Sequence, residues 1–233
     1  MSTFDFSLTT FSQTGKLPQI EYALNAMQAG ATSVGIKTSG GVVLAAEKRL
    51  PPLIDETTVQ RISSLTSNCG CAYSGMGPDA RILVQKAQKA GEQYRMEHQD
   101  VAPTSRIVQS LADTMQEYTQ SGGVRPFGVS LLVAGIDFRG PELYQVDPSG
   151  SFWRWKATAL GKGMSEAKSF LEKQYRDDLS VEEAIDLAVK IIREGFEGTL
   201  TEYDLEVAVA DNETKKFRHL PPDEIKDYID NIM

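Results

Sequence analysis

Residues Val129 to Ile136 make a nearly unbroken apolar run, interrupted only by Ser130 and Gly135. A short run of this kind reads as a strand covered on both faces, and it is far shorter than the roughly 20 residues a membrane-spanning helix needs. The chain must therefore supply an apolar layer on either side of it, and the flanking periodicities do so. A long helix starts at Gly77-Pro78-Asp79 with the stripe Ala80, Leu83, Ala87, Ala90 and Tyr94. A second starts near Pro103-Thr104, carries Ile107, Leu111, Met115 and Tyr118, and stops at Gly122-Gly123. Spacings of three and four put each set on one helix face.

The remaining elements repeat this alternation. Ser33 to Lys37 and Val42 to Glu47 read as a hairpin turning at Ser39-Gly40-Gly41, and Arg61 to Leu65 and Asn68 to Ser74 as two more strands. Glu142 to Asp147 and Phe152 to Lys156 form a hairpin around Pro148-Ser149-Gly150. A helix follows from about Ser165 to Tyr175. The next opens with Ser180 and Glu183 spaced as a capping box and buries Ala184, Ile185, Ala188, Ile191 and Ile192. Leu205, Val207 and Val209 alternate as a strand, and Pro222 to Ile232 is a short amphipathic helix. Helical pairs alternating with antiparallel hairpins predict an α+β fold, a four-layer αββα sandwich in which two sheets face each other between helices. At 233 residues the chain fits one large domain.

Composition narrows the partners. A net charge of −8 argues against wholesale binding of nucleic acid or anionic lipid. Cys69 and Cys71 are the only cysteines and His98 and His219 the only histidines, so a zinc site lacks ligands and no other metal or cofactor motif appears. Two residues apart on one strand, the cysteines suit burial better than a disulfide. No basic segment followed by an apolar run opens the chain, and the expected compartments are the cytoplasm and nucleus.

Ahead of the first strand lies a leader. Leu17, Ile20, Leu24 and Met27 share one helix face, with Pro18 in the first turn and Gly30 at the exit. Residues 4 to 14 have no helical period and end in a turn at Thr14-Gly15.

Specific motifs run the length of the chain: Ser7-Leu8-Thr9-Thr10-Phe11-Ser12, Gly15-Lys16-Leu17, Gln19-Ile20-Glu21-Tyr22-Ala23, Tyr73 to Asp79 (YSGMGPD), Gln120 to Leu132 (QSGGVRPFGVSLL), Gln145 to Gly150 (QVDPSG) and Trp155 to Ala159 (WKATA). Together they resemble the α-subunits of the proteasome core particle. The resemblance implies an N-terminal-nucleophile hydrolase fold with an extra N-terminal helix. It divides one α-type domain, 1–233, into a gate arm (1–14), an α-ring helix (15–30) and the sandwich (31–233). It also implies a heteroheptameric α ring stacked on a catalytic β ring, acting in ATP- and ubiquitin-dependent protein degradation. The implied partners are other α-subunits, β-subunits, regulatory caps such as the ATPase regulatory particle, and unfolded polypeptide in transit.

The same alignment removes the chemistry. In related β-subunits an N-terminal threonine attacks the peptide carbonyl and its own α-amine is the base. Here Ala31 stands at the nucleophile position, and its methyl cannot attack. Glu47 stands for the supporting acid and Arg61 for the supporting lysine, but a guanidinium does not exchange a proton near neutral pH. Gly75 keeps the position of the oxyanion amide, and Lys162 replaces a serine. No catalytic residue is therefore expected. Phe4-Asp5-Phe6 falls on the family's gate motif with the tyrosine and arginine both replaced, which leaves Asp5 as the polar member, and Tyr22 matches a gating tyrosine. Gln13 replaces a turn-setting proline. Arg61 also falls where the family lines its activator pockets with a lysine; a surface charge at a strand start is the plain alternative.

Other enzyme classes fit poorly. The alternative function is a free-standing N-terminal-nucleophile hydrolase, or an inactive relative used as a binding scaffold. A Ser-His-acid triad would need His98 or His219, and neither is expected beside a strand-end serine or in a Gly-x-Ser-x-Gly elbow. Asp137, Asp147, Asp211 and Glu213 fall at separate turns without metal-ligand spacing.

Overall fold

The computed structural model describes residues 11–51, 53–196 and 198–232. In chain order the elements are α1 (Pro18–Gln28), β1 (Ser33–Lys37), β2 (Gly41–Glu47), β3 (Ile62–Thr66), β4 (Cys69–Gly75), α2 (Gly77–His98), α3 (Thr104–Gln120), β5 (Val129–Asp137), β6 (Gly140–Val146), β7 (Phe152–Arg154), β8 (Ala157–Leu160), α4 (Met164–Gln174), α5 (Val181–Gly195), β9 (Leu205–Asp211), β10 (Lys216–His219) and α6 (Pro222–Ile232). One sheet runs β10-β9-β2-β1-β8 and the other β3-β4-β5-β6-β7, with every pairing antiparallel.

Three apolar layers hold this together. Alternation along β5 sends Val129, Leu131 and Val133 to the layer shared with α2 and α3. The alternate residues Leu132, Ala134 and Ile136 meet Leu44, Ile62, Leu143 and Leu160 between the sheets. The other sheet does the same, with Val43 and Ala45 turned towards α5 and α6. Both faces of both central strands are thus dry, which is why their sequences lack polar alternation. The expected α+β layering of helices, sheet, sheet and helices is present.

Local signals set the element ends. The Ser180 hydroxyl accepts the Glu183 amide at 3.1 Å, and the Glu183 carboxylate accepts the Ser180 amide at 2.9 Å, so the predicted box closes in both directions. At the start of α2 the buried Asp79 carboxylate takes both Arg125 guanidinium nitrogens, at 2.7 and 2.9 Å, and the Gly128 amide at 2.9 Å. This ties α2 to the loop that feeds β5, a link the helical period could not reveal. Burial alone would push the Asp79 carboxyl up, but the hydrogen bonds from Arg125 and Gly128 and the Arg125 charge prevail and hold it below the usual carboxylate range. On α2 the buried position is Gly91 where the stripe predicts Ala90. A Cβ at Gly91 would lie 2.5 Å from Thr66 Cγ2, so the helix backbone runs directly against the Thr66 side chain of β3 there.

Two strands are not foreshadowed by the periodicity. The hairpin strand expected to reach Lys156 ends at Arg154, and the chain crosses to the other sheet, where β8 pairs with β1. After β9 the chain turns through Lys215, at φ +58°, into β10.

Replacing Ser180 by alanine is expected to cost about 1 kcal/mol, read as a lowered denaturation midpoint. Asp79→Asn should cost about 2 kcal/mol at neutral pH, the exposed side of Arg125 keeping the loss moderate. The Asp79 contribution is fully present above the unfolded carboxylate value of about 3.9. It is lost as pH falls through the lower folded value, so denaturation curves of the two proteins should converge on acidification below that point.

Candidate functional site

The position where a nucleophile would stand lies between the exit of α1 and the start of β1. α1 packs on β4 and β5, burying Ala23 and Met27, while Leu17, Ile20 and Leu24 of the expected stripe are only half covered. Tyr22 lies on the open side of the helix, 50% exposed. Phe4, Asp5 and Phe6 lie outside the described residues. The turn ahead of α1 is closed by Ser12 N–H donating to Lys16 C=O at 2.8 Å, with Gly15 at φ +77°.

Around Ala31 the chain is tightly crossed. The Lys162 amide donates to Gly30 C=O at 2.8 Å, and the Thr32 hydroxyl donates to Lys162 C=O at 2.6 Å. The Ser74 hydroxyl lies 2.9 Å from Ala31 C=O and 3.1 Å from Met27 C=O. A Cβ on Gly30 would come within 2.2 Å of the Gly75 nitrogen, and one on Gly161 within 2.5 Å of Ala31 C=O. Gly75 and Gly161 also hold φ values of +111° and +87°, which favour glycine. The end of the leader is therefore held in the cleft by one backbone bond, Lys162 to Gly30, and by the Ser74 hydroxyl at Met27 C=O.

The flanking charged groups are occupied. Glu47 Oε2 accepts the Thr32 amide at 3.2 Å. The Arg61 guanidinium stacks 4.2 Å from the Tyr73 ring centre and donates to Tyr73 C=O at 2.9 Å and Ala31 C=O at 3.4 Å. It is turned inward and half-buried, unlike a free surface charge at a strand start. Arg61 Nε is buried without a hydrogen-bond partner. Lys162 is exposed and lines a pocket of about 630 Å³ with Thr32, Glu166, Phe170, Lys173 and Glu194. Ala31, Glu47, Arg61 and Lys162 thus fall in one neighbourhood, at the centre of which residue 31 carries only a methyl.

The histidines divide. His98 is exposed in the last turn of α2, its ring 4.2 Å from that of Tyr94. His219 is also exposed, as expected, but β10 brings its Nε2 to 3.2 Å from Ser64 Oγ in the middle of β3. Burial lowers its pKa, which the nearby Glu206 partly opposes. The pair is not a triad, because the Glu206 carboxylate accepts the Arg61 and Ile62 amides, both at 2.9 Å, and pairs with Lys48 at 3.2 Å. With Phe217 N–H donating to Ser67 C=O at 2.9 Å, the His219–Ser64 contact joins the edges of the two sheets. Nothing in a four-residue strand announces such a contact in advance. Cys69 and Cys71 are free and buried, and burial pushes the Cys71 thiol up to about 12. Among the described residues no group of metal-ligating side chains is assembled, and no helix is long and apolar enough to cross a membrane.

Comparison with known proteins agrees with this site. The family model for proteasome subunits matches residues 27–210, and the N-terminal signature of A-type proteasome subunits matches residues 4–26. The chain is 54% identical over 231 residues to proteasome subunit alpha type-2 of Dictyostelium discoideum, covering 99% of both. It is 54% identical over 232 residues to proteasome subunit alpha type-2-B of Arabidopsis thaliana, covering 99% of this chain and 98% of the relative. To the probable proteasome subunit alpha type-2 of Schizosaccharomyces pombe it is 50% identical over 241 residues, covering 98% of each. Signature, full-length likeness and a cleft closed by its own leader converge on one assignment: the chain belongs to the proteasome subunit family, among its α-type members.

Proposed function

We propose that this chain is a non-catalytic α-ring subunit of the proteasome core particle, working in ATP- and ubiquitin-dependent protein degradation while threonine active sites on β-subunits cut the substrate. Its partners are other proteasome subunits of the core. The observation that carries the reading is the methyl at residue 31, set beside a leader that matches the N-terminal signature of A-type proteasome subunits. An N-terminal nucleophile needs a free α-amine as its base and a side chain that can attack. Here the side chain is a methyl, and the Gly30 carbonyl just ahead of it is held by the Lys162 amide at 2.8 Å. The framework we infer is nevertheless the N-terminal-nucleophile sandwich, with its catalytic end covered by α1.

Covering that end leaves two tasks. The arm carrying Phe4, Asp5 and Phe6 restricts entry of unfolded polypeptide, with Asp5 as its hydrogen-bonding member, and Tyr22, on the open side of α1, is the gating tyrosine. The C-terminal carboxylate of a regulatory cap docks near Arg61, whose planar guanidinium suits a two-pronged contact. Its present hold on Tyr73 C=O and Ala31 C=O means that docking competes with two existing hydrogen bonds. The compartments proposed are cytoplasm and nucleus. A free-standing hydrolase is disfavoured by the lack of any base at Ala31.

A tagged chain should purify in a particle many times its own mass, and intact-mass analysis should find it uncut ahead of Thr32. A mechanism-based threonine inhibitor should label other chains of that particle. A chain that runs alone, or one that starts at Thr32 or Ser33 and carries the label, would falsify the reading. Ala31→Thr is expected to restore neither cleavage nor labelling, because Arg61 cannot take up a proton and Glu47 remains bonded to the Thr32 amide; appearance of an inhibitor adduct at residue 31 would show that the methyl alone had kept the site silent.

A further inference from the structure

A cavity of about 690 Å³ lies where the first turns of α2 pass the outer strand β3 and the end of β10. Its polar wall is made by Arg81, Gln85 and Gln88 of α2, Ser63 and Ser64 of β3, and His219 of β10. Val59 and Val84 add apolar surface. Among the described residues no aspartate or glutamate lines it, although acidic residues outnumber basic ones by 32 to 24 in the chain. Gln88 is engaged, donating to Ser64 C=O at 2.9 Å, and His219 meets Ser64 Oγ. Arg81 is not: it is exposed, and its guanidinium has no ion pair or hydrogen bond among the described residues. The positions three and four away on the helix, Gly77, Pro78, Val84 and Gln85, offer it no carboxylate. Arg61 is not part of this wall.

The opposite side of the sandwich has the opposite character. There the chain crosses from β7 to β8 through Lys156, whose Nζ lies 2.7 Å from Asp177 Oδ1 and so places the turn between α4 and α5 on that side. Asp177 and Asp178 in this turn expose 75% and 81% of their side-chain surface, and exposed pairs such as theirs with Lys156 and Arg176 are weak enough to be exchanged. A closed ring of like-folded subunits joins unlike sides head to tail. We propose that the cavity beside β3 is the seat of a carboxylate-bearing turn of the neighbouring ring subunit, gripped by Arg81. This rests on the ring reading given above. The guanidinium fork fits a carboxylate with two parallel bonds, Gln85 can both donate to and accept from the peptide groups of the turn, and Val59 and Val84 meet its apolar side chains.

The test uses the assembled particle. The amine introduced by Arg81→Lys is treated there with a water-soluble carbodiimide, which joins an amine to a carboxylate in contact with it, and linked peptides are mapped by mass spectrometry. The link should run from position 81 to an aspartate or glutamate of another α-type subunit. In parallel, differently tagged wild-type and Arg81→Glu chains compete for places in the particle. Arg81→Glu should be taken up several-fold less. Lys89→Glu, the same change of charge at an exposed site further along α2 and outside the cavity, should be taken up as the wild type is. No link, a link confined to this chain, a link to a β-subunit or a cap, or equal uptake of Arg81→Glu and Lys89→Glu overturns the proposal. A wild-type chain that enters no particle overturns the ring reading and this proposal with it, so the two failures are told apart.

Discussion

Three stretches of backbone meet at Ala31 with no space for a side chain between them. Gly30, Gly75 and Gly161 come from the exit of α1, the end of β4 and the end of β8, and an added Cβ on any of them would strike backbone. Protein interiors resist overpacking of this kind at a cost of kilocalories per group. The position of α1 therefore follows from the sandwich itself: the helix cannot lift away without breaking the Gly30–Lys162 bond and opening the seam at Gly75. The silence of the site has the same origin, since the atoms that would flank a reacting group are already bonded to one another.

This convergence also bears on Arg61 and Glu47. Each is directed at backbone: Glu47 at the Thr32 amide, Arg61 at the Tyr73 and Ala31 carbonyls. Groups that would tune a proton in an active relative serve here to satisfy peptide dipoles that the crossing would otherwise strand.

Long periodic elements are legible in the residues alone. β5 reads as doubly covered because both its faces are in fact dry, and α5 declares its start through Ser180 and Glu183. What escapes the sequence has a common cause. β8 and β10 span Ala157–Leu160 and Lys216–His219, too short to show a period, and their partners are chosen by tertiary packing. Asp79 reads as a helix-start residue but not as the acceptor of Arg125 and Gly128, because those bonds join it to positions 46 and 49 residues away. Glu47, Arg61 and Lys162 lie close to Ala31, whereas the meeting of His219 with Ser64, 155 residues apart, has no local signal.

The lateral sides of the sandwich carry one more implication. On one side β10 and β3, the outer strands of the two sheets, are fastened by the Phe217–Ser67 and His219–Ser64 bonds. On the other, the peptide itself passes from β7 to β8 through Trp155 and Lys156, whose backbone groups bond to Leu143 and Lys37. The body is in effect a flattened tube, hemmed along both flanks. The outer strands β10, β8, β3 and β7 each pair with one neighbour only, so the flanks are closed by a few crossing bonds and not by a continuous ladder. With so few links holding the flanks, each one counts: loss of the Phe217–Ser67 or His219–Ser64 bond would let the two sheets slide against each other along that side.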